Sequence, residues 1–448
     1  MYSIITLVII LFQVAVPKAY AASLLSEPAF GNIYNQNQLQ IIAPSAIIID
    51  AKSKKILYQK DSHAKLCPAS TTKVLTALIA LEKGSLDDII TVDESINTVE
   101  RGSSIIGLKI GEKMSLHELL YGLLLESGND AAVAIAVYIG GSIKGFSDMM
   151  NHKVVELGLH DSNFINPHGL YNENHYTSVY DLATIAIEAR KYKIFTDIVQ
   201  THQYEKSPTN ITPEKRTWIN SNRLISHNLN EKFRYEYATG IKTGYTTQAQ
   251  HSLIASAKYG DTELVAVVMN DTKDGKWTDC IQMFNYGFNN YTTYPVDSLI
   301  KQGNINQWTA KVTDKDNHIT SLELRIQDEG NQFVTLPHNA SLEKVTVLEK
   351  INASIKTPIK KGDVLGKLQL SYNHEIMTEV NLVSSKDVSD PLPSHLKPNS
   401  AEQKNVVWLY WWWIFPIAII LGLISRVLFT HKTPKKKYAS FYRSHKKR

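Results

Sequence analysis

The chain has 448 residues, which is enough for two or three domains, with 48 basic and 43 acidic residues. Lys18 and the nine basic residues after Ser425 account for ten of the basic residues, so the rest of the chain carries 38 against 43. This distribution does not indicate nucleic-acid binding. The two cysteines, Cys67 and Cys280, are too few for a disulfide framework, and we predict that both are buried thiols.

Both ends of the chain have the composition of targeting segments. Residues 1–21 hold an apolar run that ends in Ala-Tyr-Ala, which predicts a signal peptide cleaved after Ala21. Residues 406–428 begin with a cluster of tryptophans and carry no charge through Ser425, which predicts a transmembrane helix. The basic residues of 429–448 then predict a cytoplasmic tail, with the rest of the mature chain on the outer side of the membrane.

The first element after the signal peptide is a predicted strand–turn–strand pair over 46–50 and 55–58. A helix is predicted next, beginning at Ser70 and ending before Gly84. Ser115 starts an S-x-x-E capping box, which predicts a buried helix through Leu125. A polar break at 126–130 separates this helix from a second buried one, so its side chains either tie the two helices together or line a cleft.

Ser70 and Lys73 lie one turn apart at the predicted start of the first of these helices. A lysine in so apolar a segment is poorly solvated, which lowers its pKa and makes it a usable base for a neighbouring hydroxyl. The alternative is that Ser70 is only a helix N-cap and Lys73 a surface lysine, because S-x-x-K alone is a weak pattern. A second match, Ser62–Lys65, precedes no predicted helix and is set aside.

Further helices are predicted over 148–157 and 178–192, and residues 200–237 are predicted to be loop with a short helix. Residues 239–246, 252–257 and 263–269 predict three consecutive antiparallel strands, with Lys242 and Thr243 on the first of them. Short alternating segments then predict a small all-β domain that carries no chemical motif.

Three motifs now stand in order along the chain: residues 70–73 (Ser-Thr-Thr-Lys), 127–129 (Ser-Gly-Asn) and 242–244 (Lys-Thr-Gly). The set S-x-x-K, S-D-N and K-T-G is the signature of class A β-lactamases and penicillin-binding proteins, and here Gly128 replaces the middle Asp. In these three motifs and in the Asn-Pro-His-Gly-Leu segment at 166–170, the sequence resembles the low-molecular-mass penicillin-binding proteins. These are serine-type D-alanyl-D-alanine carboxypeptidases of the peptidase S11 type.

This resemblance implies an α+β fold in which an antiparallel sheet is flanked by helices, followed by the small all-β domain and the C-terminal transmembrane helix. It implies that Ser70 is the acyl-ester nucleophile and that Lys73 accepts its proton. Ser127 would relay a proton to the leaving D-alanine, and Asn129 would position the peptide and the Lys73 amine.

The third motif would bind the substrate. The resemblance implies that Lys242 and Thr243 hold its terminal carboxylate, and that the backbone N–H groups of Ser70 and Tyr245 form the oxyanion hole. The implied partners are peptidoglycan stem peptides as substrate, β-lactams as inhibitors and the bacterial cytoplasmic membrane. No cofactor and no metal is expected, since the histidines show no metal-binding spacing.

The chain departs from the family pattern after the third motif. The family commonly has Ala-Gly and then a small or apolar residue, where this chain has Ala249-Gln250-His251-Ser252. The departure leaves the catalytic roles in place, but it affects the packing behind the substrate strand and could shift substrate preference.

Other activities of the same site stay open at this point. A β-lactamase would need a carboxylate to activate the deacylating water, and no Glu-x-x-x-Asn stretch is visible around 164–169. Transpeptidase or endopeptidase action would use the same residues on a different acceptor or bond. The alternative that is not an enzyme is a membrane-tethered wall-binding protein or β-lactam sensor.

The predicted domain boundaries follow from these segments. They are a signal peptide, a serine DD-peptidase catalytic domain, a small all-β domain, a linker, a transmembrane helix and a basic cytoplasmic tail, at 1–21, 22–294, 295–384, 385–405, 406–428 and 429–448.

Overall fold

The structure is a computed structural model that describes residues 39–228, 231–302 and 307–389. Its contacts divide the chain into two compact units. Within the described residues, the first unit consists of 39–228, 231–302, 307–308, Arg325–Ile351 and Gly366–Leu382. The second unit consists of Thr309–Leu324, Asn352–Leu365 and residues 383–389.

Helices of the described part of the chain lie mostly in its first three hundred residues. They are α1 (Lys73–Lys83), α2 (Leu116–Leu124), α3 (Asn129–Gly140), α4 (Ile143–Glu156), α5 (Val179–Ala189), α6 (Lys193–Gln200), α7 (Gly275–Asn290) and α8 (Val296–Gln302).

Strands of the described part occur in both units. They are β1 (Ser45–Asp50), β2 (Ile56–Lys60), β3 (Ile89–Thr91), β4 (Lys113–Ser115), β5 (Gln203–Lys206), β6 (Arg216–Ile219), β7 (Ala238–Thr246), β8 (Gln250–Tyr259), β9 (Thr262–Asp271), β10 (Tyr291–Pro295), β11 (Trp308–Thr313), β12 (Ile319–Ile326), β13 (Phe333–Pro337), β14 (Val345–Ile351), β15 (Ile355–Lys356), β16 (Val364–Tyr372) and β17 (Glu375–Ser384).

A five-stranded antiparallel sheet in the order β2-β1-β9-β8-β7 organises the first unit. Successive side chains of a strand point to opposite faces, so the apolar runs of β1, β8 and β9 supply two cores. Ile47 and Val267 pack into one core with α1 and α5, whereas Ile48 and Val268 pack into the other with α7. Burial of each such side chain stabilises the fold by about 1.5–3 kcal/mol. The predicted α+β architecture is confirmed.

The first helix of the buried pair begins as its capping box predicts. Ser115 Oγ accepts from the Glu118 backbone N–H at 3.2 Å, and Glu118 Oε2 accepts from the Ser115 N–H at 3.0 Å, which completes the capping box before α2. The chain then breaks at the polar residues and restarts as α3 at Asn129.

Residues 200–237 differ from the prediction of loop with short helix. They contain the antiparallel pair β5–β6, with a short 3₁₀ turn at Arg223–Ile225. Tyr204 stacks between Tyr121 at 3.9 Å and Trp218 at 5.7 Å, measured between ring centroids. Four-residue strands are too short to show a period, and this aromatic stack is what stabilises them.

One helix was not predicted, and one expectation is corrected. Helix α7 follows β9 and buries Trp277, Met283 and Phe284 against the sheet. Both cysteines are free, and only Cys280 is buried, because Cys67 keeps partial exposure.

The C-terminal part of the described chain consists mainly of strands, as predicted, although α8 precedes the first of them. In the first unit β14 pairs antiparallel with β16, and β10 pairs antiparallel with β13. In the second unit β11 pairs parallel with β15. The boundaries 295–384 stay a prediction.

No helix within 39–228, 231–302 and 307–389 is long and apolar enough to cross a membrane. The predicted signal peptide at 1–21, and the transmembrane helix and tail at 406–448, lie outside the described residues.

Candidate active site

The turn that carries Ser70, called the nucleophile turn after the predicted role of this serine, lies directly before α1. Residues Ala69–Thr72 form one turn of 3₁₀ helix, and Ala69 takes a φ of +51°, a left-handed conformation that costs a residue with a Cβ atom free energy. Thr71 Oγ1 donates to the Pro68 carbonyl at 2.7 Å, which closes the turn. The turn is therefore held in a specific geometry that sets Ser70 at the start of the helix, as predicted.

The Lys73 amine is surrounded by oxygen atoms. Lys73 Nζ lies 3.0 Å from Ser70 Oγ, 2.6 Å from Asn129 Oδ1 and 2.8 Å from the His168 carbonyl oxygen. A neutral amine has two N–H groups and one lone pair, and a carbonyl oxygen can only accept. When Lys73 donates to Asn129 and His168, its lone pair faces the Ser70 hydroxyl.

Burial favours that neutral form. Lys73 is fully buried, and this desolvation lowers its pKa well below 10.5. The charge of Lys242 lowers the pKa further, while Asp130 acts in the opposite direction. The predicted lowering of the Lys73 pKa is confirmed, and a surface lysine is excluded.

Residues 127–129 lie at the break between α2 and α3. Ser127 has a φ of +62°, and its hydroxyl is buried with no hydrogen-bond partner among the described residues. A buried hydroxyl without a partner is costly unless a ligand or water completes it, so this atom is available to a substrate. The structure thus joins Asn129 to Lys73 directly, whereas Ser127 makes no such contact.

Gly128 lies in a tightly packed position where the motif usually has Asp. A Cβ atom at this position would lie 2.9 Å from Ile106 Cγ2 and 3.0 Å from Asp130 Oδ1. Asp130 in turn accepts from the backbone N–H groups of three consecutive residues, Ile106, Gly107 and Leu108, at 2.9 Å each. Asp130 therefore ties the break to the loop at 106–108, while Asn129 reaches the Lys73 amine.

The third motif brings β7 against the nucleophile turn. A Cβ atom on Gly244 would lie 3.0 Å from the Pro68 carbonyl oxygen and 3.3 Å from Ala69 Cβ. The glycine lets the strand pack directly against the turn that carries Ser70. Because β7 is an end strand of the sheet, one of its backbone edges is not paired within the sheet.

Lys242 is as buried as Lys73 but has fewer partners. Its Nζ donates to the Thr243 carbonyl at 3.1 Å, and it is 1% exposed. Burial lowers its pKa to about 7, the charge of Lys276 adds to this effect, and Glu126 opposes it. The cation is poorly compensated, which favours binding of an anion.

Three side chains without a predicted role, those of Lys276, Ser221 and His251, contact this strand or each other. Lys276, from α7, lies 3.3 Å from His251 Nδ1, and burial lowers its pKa to about 8. Ser221 Oγ lies 2.8 Å from Thr243 Oγ1. The Tyr245 ring stacks on His251 at 4.4 Å. His251 belongs to the segment that departs from the family pattern; for Lys276 and Ser221 no motif gave a signal.

Comparison with known proteins identifies the fold and site as those of one family. The sequence profile of the D-alanyl-D-alanine carboxypeptidases of peptidase family S11 matches residues 32–273, more than half of the chain. This chain belongs to the D-alanyl-D-alanine carboxypeptidase family. Its members are serine hydrolases, which agrees with the pairing of Ser70 with Lys73. The profile of the penicillin-binding protein 5 C-terminal domain matches residues 297–390.

Curated relatives agree with this membership. The chain is 36% identical over 352 residues to the D-alanyl-D-alanine carboxypeptidase DacF of Bacillus subtilis, covering 77% of this chain and 86% of that protein. It is 29% identical over 360 residues to DacA of Haemophilus influenzae, covering 78% and 86%.

Solved structures resemble the fold. Penicillin-binding protein 5 of Haemophilus influenzae matches with a TM-score of 0.63 and 26% identity, covering 78% of this chain and 98% of that one. The DD-transpeptidase of Streptomyces K15 matches with a TM-score of 0.51 and 31% identity, covering 55% and 97%.

One group of possible metal ligands occurs among the described residues. Oxygen and nitrogen atoms of Asp314, Asp316 and His318 lie within 4.8 Å of one another, in the turn between β11 and β12. These residues belong to the second unit, whereas the three motifs belong to the first. That the active site needs no metal stays a prediction.

Proposed function

We propose that this protein hydrolyses the terminal D-Ala-D-Ala bond of peptidoglycan stem pentapeptides, releases D-alanine and so limits crosslinking. The observation that carries the proposal is the Lys73 amine, which is buried, donates to Asn129 Oδ1 and the His168 carbonyl, and lies 3.0 Å from Ser70 Oγ. Family membership supplies the bond that is cleaved.

Acylation begins with the substrate carboxylate on Lys242 and the Thr243 hydroxyl. Ser70 Oγ attacks the peptide carbonyl carbon as its proton passes to Lys73, and the resulting oxyanion accepts from the backbone N–H groups of Ser70 and Tyr245. The C–N bond then breaks, and the departing amine takes its proton through Ser127. D-alanine leaves, and the shortened peptide remains as an ester on Ser70.

Deacylation reverses the roles. Water attacks the ester carbonyl and gives up one proton to Lys73. Lys73 returns a proton to Ser70 Oγ as the ester bond breaks, and the peptide leaves as a carboxylic acid. Residues 164–170 contain no carboxylate that could activate this water for a β-lactam adduct. We therefore expect β-lactams to acylate Ser70 and to leave slowly, so that they act as inhibitors.

A second candidate is DD-transpeptidase action by the same residues. It is favoured by the likeness to the Streptomyces K15 structure, which is a DD-transpeptidase. The two reactions share the acyl-enzyme and differ in whether water or an amine attacks it. An endopeptidase would act on a crosslinked peptide, and a β-lactamase or a tethered β-lactam sensor would use only the acylation step.

We also propose that the protein is a single-pass protein of the bacterial cell membrane. A signal peptide at 1–21 and a transmembrane helix at 406–428 would leave the catalytic domain extracytoplasmic and the tail 429–448 cytoplasmic. The support is the composition of these segments, with tryptophans before the apolar run and basic residues after it.

The test is D-alanine release from a pentapeptide ending in D-Ala-D-Ala, using the full-length chain in detergent with Ser70→Ala as the control. Release that needs Ser70 and stops with penicillin is the expected result. Penicillin labelling of Ser70 without release from this peptide would contradict carboxypeptidase action and favour the transpeptidase or a sensor. The absence of any reaction at Ser70 would contradict all of these.

A further inference from the structure

His175 lies outside the three motifs but close to the nucleophile turn. The residue is 2% exposed. The two residues that follow it each pair with a different part of the chain. Thr177 pairs with Leu66, just before the nucleophile turn, and Tyr176 pairs with Asn163, just before the Asn-Pro-His-Gly loop. The residue therefore lies where these two parts of the site meet.

The hydrogen bonds of His175 fix its tautomer. The Ile165 backbone N–H can only donate, and it lies 3.2 Å from Nδ1, so Nδ1 carries no proton. Nε2 therefore carries the ring hydrogen and donates to Thr72 Oγ1 at 3.0 Å. Burial lowers the pKa of His175 to about 4, which keeps the ring neutral at physiological pH.

The loop that His175 holds supplies one of the acceptors for Lys73. Within it, Asn166 Oδ1 accepts from the Gly169 N–H at 2.7 Å, and the His168 carbonyl accepts from Lys73 Nζ at 2.8 Å. Thr76 Oγ1 donates to the Pro167 carbonyl at 2.6 Å. Thr72 and Thr76 lie on either side of Lys73, and both connect to the loop. Thr72 does so through His175, and Thr76 does so directly.

We propose that His175 is a positioning residue for acylation, which sets the His168 carbonyl, and through it the Lys73 lone pair, by bridging Thr72 to the Ile165 N–H. The proposal rests on the proposed function only in taking Lys73 as the acceptor of the Ser70 proton. His175 touches neither the substrate nor the reacting atoms, so its effect passes through the loop.

Loss of this bridge has a consequence for the base. With the loop free to move, water reaches the Lys73 amine, and the burial that chiefly lowers its pKa is weakened. The two charges that also act on Lys73, Lys242 and Asp130, are held by other elements and stay in place. The Lys73 pKa should rise, and acylation should need a higher pH.

The experiment measures the rate of penicillin acylation against pH with the full-length chain in detergent. His175→Phe keeps an aromatic ring beside Phe164, whose ring centroid lies 5.4 Å away, but removes both hydrogen bonds. We expect it to slow acylation on the order of 10- to 100-fold at pH 7 and to move the rising limb of the profile to higher pH. His175→Gln, which keeps a donor and an acceptor, should recover part of the rate.

Two further variants separate positioning from general stability. Thr72→Val removes the acceptor from the other side, so it should slow acylation as His175→Phe does, and the double variant should be no slower than either single one. If His175→Phe does not fold, Thr72→Val carries the test alone through its rate and pH profile. His160→Phe, at an exposed histidine, is the control and should leave both unchanged.

A wild-type rate and pH profile in a folded His175→Phe variant would overturn the proposal, as would effects that add in the double variant. Failure of the proposed function looks different, because it appears in the wild type. Penicillin acylation of wild type without D-alanine release would remove carboxypeptidase action and leave the His175 test intact. An absence of acylation at Ser70 in wild type would overturn both.

Discussion

Lys73 and Lys242 are two buried lysines of one site, and burial lowers the pKa of both. They differ in their partners. Lys73 makes contacts with a hydroxyl, an amide oxygen and a backbone carbonyl, whereas Lys242, within the described part of the chain, donates only to the carbonyl of its own neighbour. Burial alone therefore does not decide what a lysine does. The difference fits the proposed roles, in which the first amine receives a proton and the second binds an anion.

Replacement by arginine should separate the two roles most strongly. A guanidinium stays protonated at any pH used, so Lys73→Arg cannot accept the Ser70 proton and should slow penicillin acylation about 10²- to 10⁴-fold. Lys242→Arg keeps the positive charge and is the matched control, with a far smaller effect. Single-turnover acylation with labelled penicillin measures both. Equal losses in the two variants would contradict the division of roles.

Removing the charge of Lys242 tests the anion-binding half of the comparison. Lys242→Met should raise KM for a D-Ala-D-Ala peptide about 10- to 100-fold, because a charge-assisted hydrogen bond to the substrate carboxylate is lost. A peptide with an amidated C-terminus lacks that carboxylate, so its poor turnover should hardly change. Steady-state kinetics on the two peptides decide the matter. A loss confined to kcat would place Lys242 in the chemistry instead.

The pH dependence of KM sharpens the same point. The proposed contact with the substrate carboxylate needs a protonated Lys242, and burial lowers its pKa to about 7, so KM should rise as pH increases through 7, by up to about tenfold per unit. In Lys242→Arg the rise should disappear. The measurement is KM from pH 5.5 to 9. A profile that is flat in wild type would show that the carboxylate is bound elsewhere.

Asp271, the last residue of β9, gives the smallest expected effect, which is on the stability of the fold. Asp271 is 3% exposed, and burial raises its pKa from 3.8 to about 6, with a contribution from Asp279. Because the folded pKa is the higher one, the protonated carboxyl stabilises the fold below about pH 4, and this stabilisation is lost as pH rises through 6. In Asp271→Asn, Tm between pH 4 and 7 should vary less, by a few degrees. Parallel Tm curves for the two proteins would contradict this.

The local chemistry of the site could be predicted from sequence because the residues of each motif lie close together along the chain. Ser70 and Lys73 are one turn apart, and Lys242 to Gly244 lie on one strand. The roles of the individual site residues stay predictions until variants are measured. His168, Ser221 and Lys276 could not be assigned, since each reaches the site through tertiary packing of a distant element.

The fold, too, divides into elements that local sequence determines and elements that depend on tertiary contacts. The antiparallel strands and the capped helix were predictable from apolar runs and an S-x-x-E pattern, which act locally. The β5–β6 pair depends on a stack formed by Tyr121 with Tyr204 and Trp218, from separate parts of the chain. The α7 helix shows the opposite case, because its apolar spacing was present in the sequence and was missed.

Gly169 lies where the Asn-Pro-His-Gly loop meets the nucleophile turn. It has a φ of +88°, and a Cβ atom there would lie 1.8 Å from the Ala69 carbonyl oxygen, so the two backbones are in direct contact. A substitution here would displace the nucleophile without touching any group that recognises the acylating molecule. Sensitivity to β-lactams and turnover of the natural peptide should then fall in proportion, which makes this position a poor route to a resistant yet active enzyme.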